Sequence, residues 1–358
     1  MKSHLWPLAL GSMLILIGAT GSPTQAQEPE YGTFPPARQL TAQEILAFPT
    51  EQTEPVYKTV HPQTDGTSEG EASSWTPPDP ADLPSAQRAF GYGPRLSTNF
   101  MGHVHHGEPA DPHIAAGPDH LITVVNVQIK FWNKDGDNLQ TTHLNDFFGV
   151  PGGEPGTFDP KVIYDKDSGR FFVLALAKNC TQGKSRYHLA ASMTSNPMDG
   201  FHVYPAVDNM VANHWVDYPT LGVGERGLYI GGNLIPCSSP RTYERSLWVI
   251  DKSAVIAGLG AAVYKYHDVF PGLPTGQTLL MKAAVSWDSP TGVDNFVVSW
   301  NQLPGSVYQP MVWGVTVPGS FPSSAWISWK TWWRKRRRRS GSPRHSWAPP
   351  ERSPWPWP

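Results

Sequence analysis

From about residue 95 onward, apolar runs of a few residues alternate with clusters of Gly, Asp, Asn and Pro. Runs this short, bounded by turn formers and rich in Val, Ile, Phe, Tyr and Trp, predict strands. They fall at residues 121–127, 128–132, 162–164, 171–177, 187–193, 228–230, 246–250, 283–286, 296–300 and 311–317. No window over this span repeats its apolar positions with the 3.6-residue period of an amphipathic helix. Earlier, residues 27–95 carry many Pro, Ser, Thr, Glu and Gln and few aliphatic pairs. Such a stretch buries too little apolar surface to offset its ordering entropy, so it reads as an extended or disordered linker. Within it, Thr41 followed by Glu44 has the spacing of a capping box and predicts a short helix at residues 41–47.

The strands are organised by an internal repeat. One unit opens with Asp111-Pro112-His113-Ile114, the next with Asp159-Pro160-Lys161-Val162, and a third with Asp217-Tyr218-Pro219-Thr220. Each opening leads to a turn signal and an apolar strand: LITVVN, RFFVLALA and LYIGGN. The openings lie 48 and 58 residues apart, the size of a four-stranded propeller blade. A fourth unit starts near Met281 without the aspartate. The fold class is therefore all-β, a β-propeller of four-stranded antiparallel blades with about four blades present, over residues 96–320. A β-sandwich also uses short strands, but it gives no reason for an Asp at the same place in each unit.

Composition agrees with strands: 33 Gly and 37 Pro in 358 residues exclude an all-helical chain. The net charge of −2 hides a division, because residues 330–358 carry +8 and the remaining residues carry −10. The acidic body directs partners toward cations and neutral glycans and away from nucleic acid. The ending, residues 321–358, contains Arg334-Lys335-Arg336-Arg337-Arg338-Arg339 among seven Trp and many Pro. It reads as a disordered tail or an out-of-frame translation that interrupts the last blade. At the other end, Lys2 precedes an apolar run at residues 8–17 and Thr24-Gln25-Ala26, the pattern of a signal peptide (residues 1–26) cleaved near Ala26. The run is too short to span a bilayer, so the protein is expected to be secreted, without a membrane span. Cys180 and Cys237, the two cysteines, then meet oxidising conditions in which they either pair or remain buried thiols.

The segments DPHIAAGPDHLITVVN, FDPKVIYDKDSGRFFV, HLAASMTSNPMDGFHVY and VDYPTLGVGERGLYIGGN resemble the uncharacterised exported β-propeller proteins of bacteria, over about residues 108–317. That resemblance implies the fold and export and no particular reaction. The Asp-Pro openings are also similar to the strand starts of furanosidase-type five-bladed glycosidases, part of a wider sialidase- and glycosidase-like propeller group. In those enzymes one Asp is the base, another tunes the acid, and the acid is a Glu, where this chain offers Asp217.

In a propeller the innermost strands line one channel, so Asp111, Asp159 and Asp217 are expected to converge on its mouth. Paired carboxyls at such a site suit glycoside hydrolysis. The same ring could bind a sugar or Ca²⁺ without turnover, or only satisfy backbone N–H groups in turns. Tyr164, Trp215, Tyr218 and Trp287 are candidate stacking surfaces for a sugar. The histidines His103, His105, His106, His113 and His120 match no zinc spacing, and no metal site is assigned. Ser192 lacks a Gly-x-Ser-x-Gly elbow. The leading expectation is extracellular ligand or glycan binding. The alternative is a glycoside hydrolase using the three aspartates.

Overall fold

The computed structural model describes residues 30–49, 100, 102–103, 109–182, 184–208, 211–238, 244–267, 281–287, 292–303, 307–317 and 328–331. The signal peptide expected at residues 1–26, His105, His106 and the basic run at residues 334–339 lie outside these residues.

The described strands form four antiparallel sheets in chain order, the blades of a β-propeller. Blade I comprises His113–Ala116, His120–Val125, Gln128–Asn133 and Asn138–His143. Blade II comprises Thr157–Asp165, Arg170–Asn179, Lys184–Ser192 and Gly200–Val203, with Val207–Asp208 beside its third strand. Blade III comprises His214–Val223, Gly227–Pro236, Glu244–Asp251 and Ala261–His267, and blade IV Lys282–Ala283, Asn295–Leu303, Val307–Thr316 and Ser328–Thr331. Blade IV therefore runs past the boundary drawn at residue 320: Ser328–Thr331 pairs with Trp313–Thr316, because a strand needs only backbone partners and tolerates SWKT.

The apolar runs are unbroken because a blade is buried on both faces. Along the second strand of blade II, Phe171, Val173 and Ala175 pack toward blade I, while Phe172, Leu174 and Leu176 pack toward blade III. In the third strand of blade III, Trp248 and Ile250 join the core shared with blade II, whereas Leu247 and Val249 face blade IV. The period-2 alternation of a strand thus sorts side chains between two cores instead of between core and solvent. First strands of successive blades lie side by side, I against II, II against III and III against IV. Close approach is possible at Gly231, where a Cβ would overlap the Met281 carbonyl oxygen of blade IV.

Part of the expected linker belongs to the blades. Glu30–Phe34 pairs antiparallel with Ala261–Lys265 as a fifth strand of blade III, and Arg38–Thr41 pairs with Gly200–Val203 as a fifth strand of blade II. Pro35 and Pro36 carry the chain across from one blade edge to the next. Phe34 is fully buried, edge-on to Tyr204 (5.9 Å) and Trp248 (6.0 Å). The sequence rule failed here because a polar, Pro-rich strand needs little apolar surface of its own when it adds to an existing sheet edge. The predicted helix forms at Ala42–Leu46 with the Thr41–Glu44 capping box, and Gln140 of blade I donates to Ile45 O at 2.8 Å.

Blades II and III are pinned at both rims. Cys180, after the second strand of blade II, and Cys237, after the second strand of blade III, form a disulfide with Cα atoms 5.5 Å apart. At the other rim Lys252 Nζ lies 3.0 Å from Asp165 Oδ2 and donates to Gly224 O at 2.6 Å, all of it buried. Blades III and IV are joined through Asp294, which accepts from Arg226 N (2.7 Å), Gly227 N (3.1 Å) and Tyr229 Oη (2.5 Å).

Two outcomes follow. The disulfide closes a loop with a sequence separation of 57. Replacing both cysteines with Ser should therefore lower unfolding free energy in urea by about 4 kcal/mol, the chain-entropy value for such a loop. Lys252→Met leaves the Asp165 carboxylate, 1% exposed, without its cation. It should cost about 3–5 kcal/mol, with a large part recovered when Asp165→Asn is added.

Candidate functional site

The mouth is built by a repeated backbone irregularity. Asp111, Asp159 and Tyr218 each precede a proline and each has a left-handed φ, of 44°, 49° and 51°. In blades II and III the ladder slips at this point, between Phe158 and Lys161 and between Asp217 and Thr220. A bulge re-aims the side chain that it carries, and non-glycine residues in this region cost roughly 1–3 kcal/mol unless their surroundings hold them there. Here the following proline also disfavours the right-handed helical alternative.

This register corrects the sequence alignment of the units. Asp217 pairs with Asn233 just before the slip, as Phe158 pairs with Leu176, so the residue equivalent to Asp111 and Asp159 is Tyr218. Asp217 sits one position earlier. The extra residue between Asp217 and Pro219 was visible in the sequence, but the shared Asp concealed what it meant.

The three aspartates nevertheless meet. Asp159 hydrogen-bonds to Asp111 through their side chains, and Asp217 acts electrostatically on Asp159. Asn126 organises the pair: its Nδ2 donates to Asp111 Oδ2 at 2.8 Å, and its Oδ1 accepts from Asp159 N at 2.6 Å. Tyr218 N donates to Asp159 Oδ2 at 3.3 Å. Burial, then the Asp111 hydrogen bond and the charges of Asp111 and Asp217, push Asp159 up from 3.8 to about 7. Asp217 is raised by burial, while the Tyr218 N–H and Lys178 pull it back toward the ionised form.

Two lysines face these carboxyls, and a third, Lys282, faces Lys161. Lys161 is lowered by burial and feels Asp159, Asp111 and Lys282, and Lys178 is lowered by burial and feels Asp217. None of these lysines, nor Asn126, was singled out from sequence. A signal for Asn126 existed in one other blade, since Asn233 stands two residues after Gly231 in blade III as Asn126 stands two after Val124 in blade I, whereas blade II has Leu176 there.

The candidate stacking residues separate. Tyr218 is 46% exposed at the mouth. Trp215 is buried, with Phe158 against its ring (6.4 Å) and Lys178 Nζ 3.6 Å from its centre, so no open face is left for a sugar. Tyr164 lies five residues beyond Asp159 on the same strand, about 16 Å away at 3.3 Å per residue, and packs on Phe171 at 4.7 Å. Trp287 is exposed beside Lys166, which follows Asp165 at the rim that carries the Lys252 ion pair.

The histidines do not gather. His103 bonds Thr123 O and His113 bonds Val162 O, while His120 begins the second strand of blade I. Among the described residues no three His, Cys, Asp or Glu side chains are grouped to hold a metal ion. A separate cavity of about 470 Å³ on the outer side of blade II, lined by Arg38, Phe148, Arg186, His188 and Tyr204, contains none of the three aspartates. Burial holds His188 there down at about 4.

Asp159 binds its proton more tightly folded than unfolded, so it costs the fold stability as pH rises from 3.8 to about 7, and the cost is complete above that. Asp159→Asn keeps an acceptor for Tyr218 N–H and a donor for Asp111. The variant should melt above the parent at pH 8 and lose that advantage at pH 4, as followed by circular dichroism.

Among described residues no helix is long and apolar enough to cross a membrane. No protein-family model and no curated protein matches the chain. Solved structures similar to it include an exo-β-1,3-galactanase from Phanerochaete chrysosporium with galactose, at 9% identity and a TM-score of 0.34, covering 61% of this chain and 49% of that one. A family-43 glycoside hydrolase subfamily 12 protein from a capybara gut metagenome gives 12% identity, a TM-score of 0.33 and coverage of 62% and 41%. The family-43 endo-arabinanase of Bacillus licheniformis gives 10%, 0.25, 62% and 98%. The chain spans about half the length or less of the first two.

Proposed function

We propose that the protein is an exported glycoside hydrolase that works at the aspartate mouth. The observation that carries this reading is a carboxyl, Asp159, that keeps its proton to about pH 7 beside two further carboxyls. Glycosidic cleavage needs a proton donor for the leaving oxygen and a second, ionised carboxylate as base or nucleophile. A donor is most effective when its pKa lies near the working pH. In this reading Asp159, hydrogen-bonded to Asp111, donates the proton, and Asp217, raised by burial but drawn back toward the anion by Tyr218 N–H and Lys178, is the second carboxyl that acts ionised. Asn126 is a positioning residue that fixes Asp111 against the Asp159 backbone.

Ligand binding alone, the leading expectation from sequence, gives the held proton no task. Export is supported by the disulfide, which persists in oxidising compartments.

The full chain should turn over at least one of arabinan, xylan or sialyl substrates in a reducing-sugar assay. Asp159→Asn and Asp217→Asn should each lower kcat by about 10²–10⁴-fold, the usual range for removing acid–base assistance. Absence of turnover in the parent, or variants with unchanged kcat, would overturn the reading.

A further inference from the structure

The charges at the mouth are unequal in a way the three aspartates do not explain. Asp111, Asp159, Asp217, Lys161 and Lys178 form a linked set of charges there, and Lys282 acts on it through Lys161. Two of those lysines have carboxylates to answer them. Lys161 faces Asp159 and Asp111, and Lys178 faces Asp217 while covering the Trp215 ring. Lys282, on the inner strand of blade IV, is exposed and has no carboxylate partner among the described residues.

Lys282 instead shares an aromatic ring with Lys161. Their Nζ atoms lie 5.7 Å and 5.9 Å from the centre of Tyr218, and each repels the other's charge. An exposed tyrosine face attracts a cation modestly, by about 0.5–1 kcal/mol, and two ammoniums beside the same ring work against each other. Tyr218 is also the open stacking surface beside the carboxyls, since Trp215 is covered. A pyranose resting on that ring would hold any group on its rim within reach of both ammoniums. A neutral sugar would leave their repulsion unrelieved, whereas an anionic group fixed directly to the sugar ring would relieve it with charge-assisted hydrogen bonds.

We infer that the mouth takes a carboxylated sugar residue, a uronate or a sialate, seated on Tyr218 with its carboxylate between Lys161 and Lys282. This names the substrate class of the proposed hydrolase and rests on that reading for its site. Although the body of the chain is acidic, the preference runs toward anionic glycans, because the local balance decides which group is bound.

The test is isothermal titration of the full chain with trigalacturonate, sialyllactose and neutral xylotriose at low salt. At least one acidic trisaccharide should bind ten or more times tighter than xylotriose, and the one that does so identifies the source of the carboxylate. Lys282→Gln should abolish that preference, whereas Tyr218→Ala should weaken acidic and neutral ligands alike. Lys166→Gln, at the other rim, should preserve the preference and thereby exclude a general charge effect. Equal binding of acidic and neutral trisaccharides, or a preference that survives Lys282→Gln, would overturn the inference and leave the hydrolase reading standing on neutral substrates. If none of the three binds and no glycan is cleaved, both fail together.

Discussion

A sheet that is apolar on both faces cannot be stable against water on either, and this constraint shapes the molecule. The second strand of blade II illustrates it, with Phe171 and Phe172 adjacent in sequence and fully buried in different cores. Each blade needs a neighbour on each side, so blades stack in chain order and their first strands are drawn together. Residues at the starts of those strands are carried to one place whatever their chemistry. Desolvated carboxyls at the mouth are thus a consequence of packing elsewhere, and burial is accordingly the largest cause of the upward shifts of Asp159 and Asp217.

Holding carboxyls together in a partly dry site is unfavourable, and the fold meets that cost with specific partners. Asn126 satisfies an Asp111 oxygen and the Asp159 amide at once, and Tyr218 N–H serves Asp159. Rigid supports matter more than added charge, because a neutral amide fixes geometry without discharging the acid. Blades II and III, which supply Asp159 and Asp217, are also the pair locked by the disulfide at one rim and the Lys252–Asp165 ion pair at the other. The N-terminal segment adds to the same pair of outer edges, so residues distant in sequence stiffen the blades on which the mouth carboxyls depend.

Much of this was legible in sequence where local pattern and fold agree. The blade repeat, the strands, the Thr41–Glu44 helix cap and the convergence of Asp111, Asp159 and Asp217 follow from short-range pattern and one topological rule. Features that depend on a partner far along the chain were hidden. Glu30–Phe34 looks like linker because its hydrogen bonds go to Ala261–Lys265, and Trp215 looks like a binding surface because nothing local shows Lys178 covering it. Tyr218 was misaligned for a subtler reason, since the geometry repeated from blade to blade is the left-handed residue before proline, and the matching Asp drew the units one position out of register.

Net charge shows the same division between average and place. A body carrying −10 outside its last 29 residues would be expected to repel anions over the long range. Counterions screen that general field beyond about 8–10 Å at physiological ionic strength, while a carboxylate held against two ammoniums acts at contact distance. Charge at the mouth is local: burial and the neighbouring carboxyls raise Asp159, and exposed Lys282 stands beside Lys161 without a carboxylate partner among the described residues. The raised Asp159 follows from the crowding and burial of carboxyls where the inner strands converge. In the proposed reading, acid chemistry draws on that raised carboxyl, and the anionic ligand on the lysine beside it.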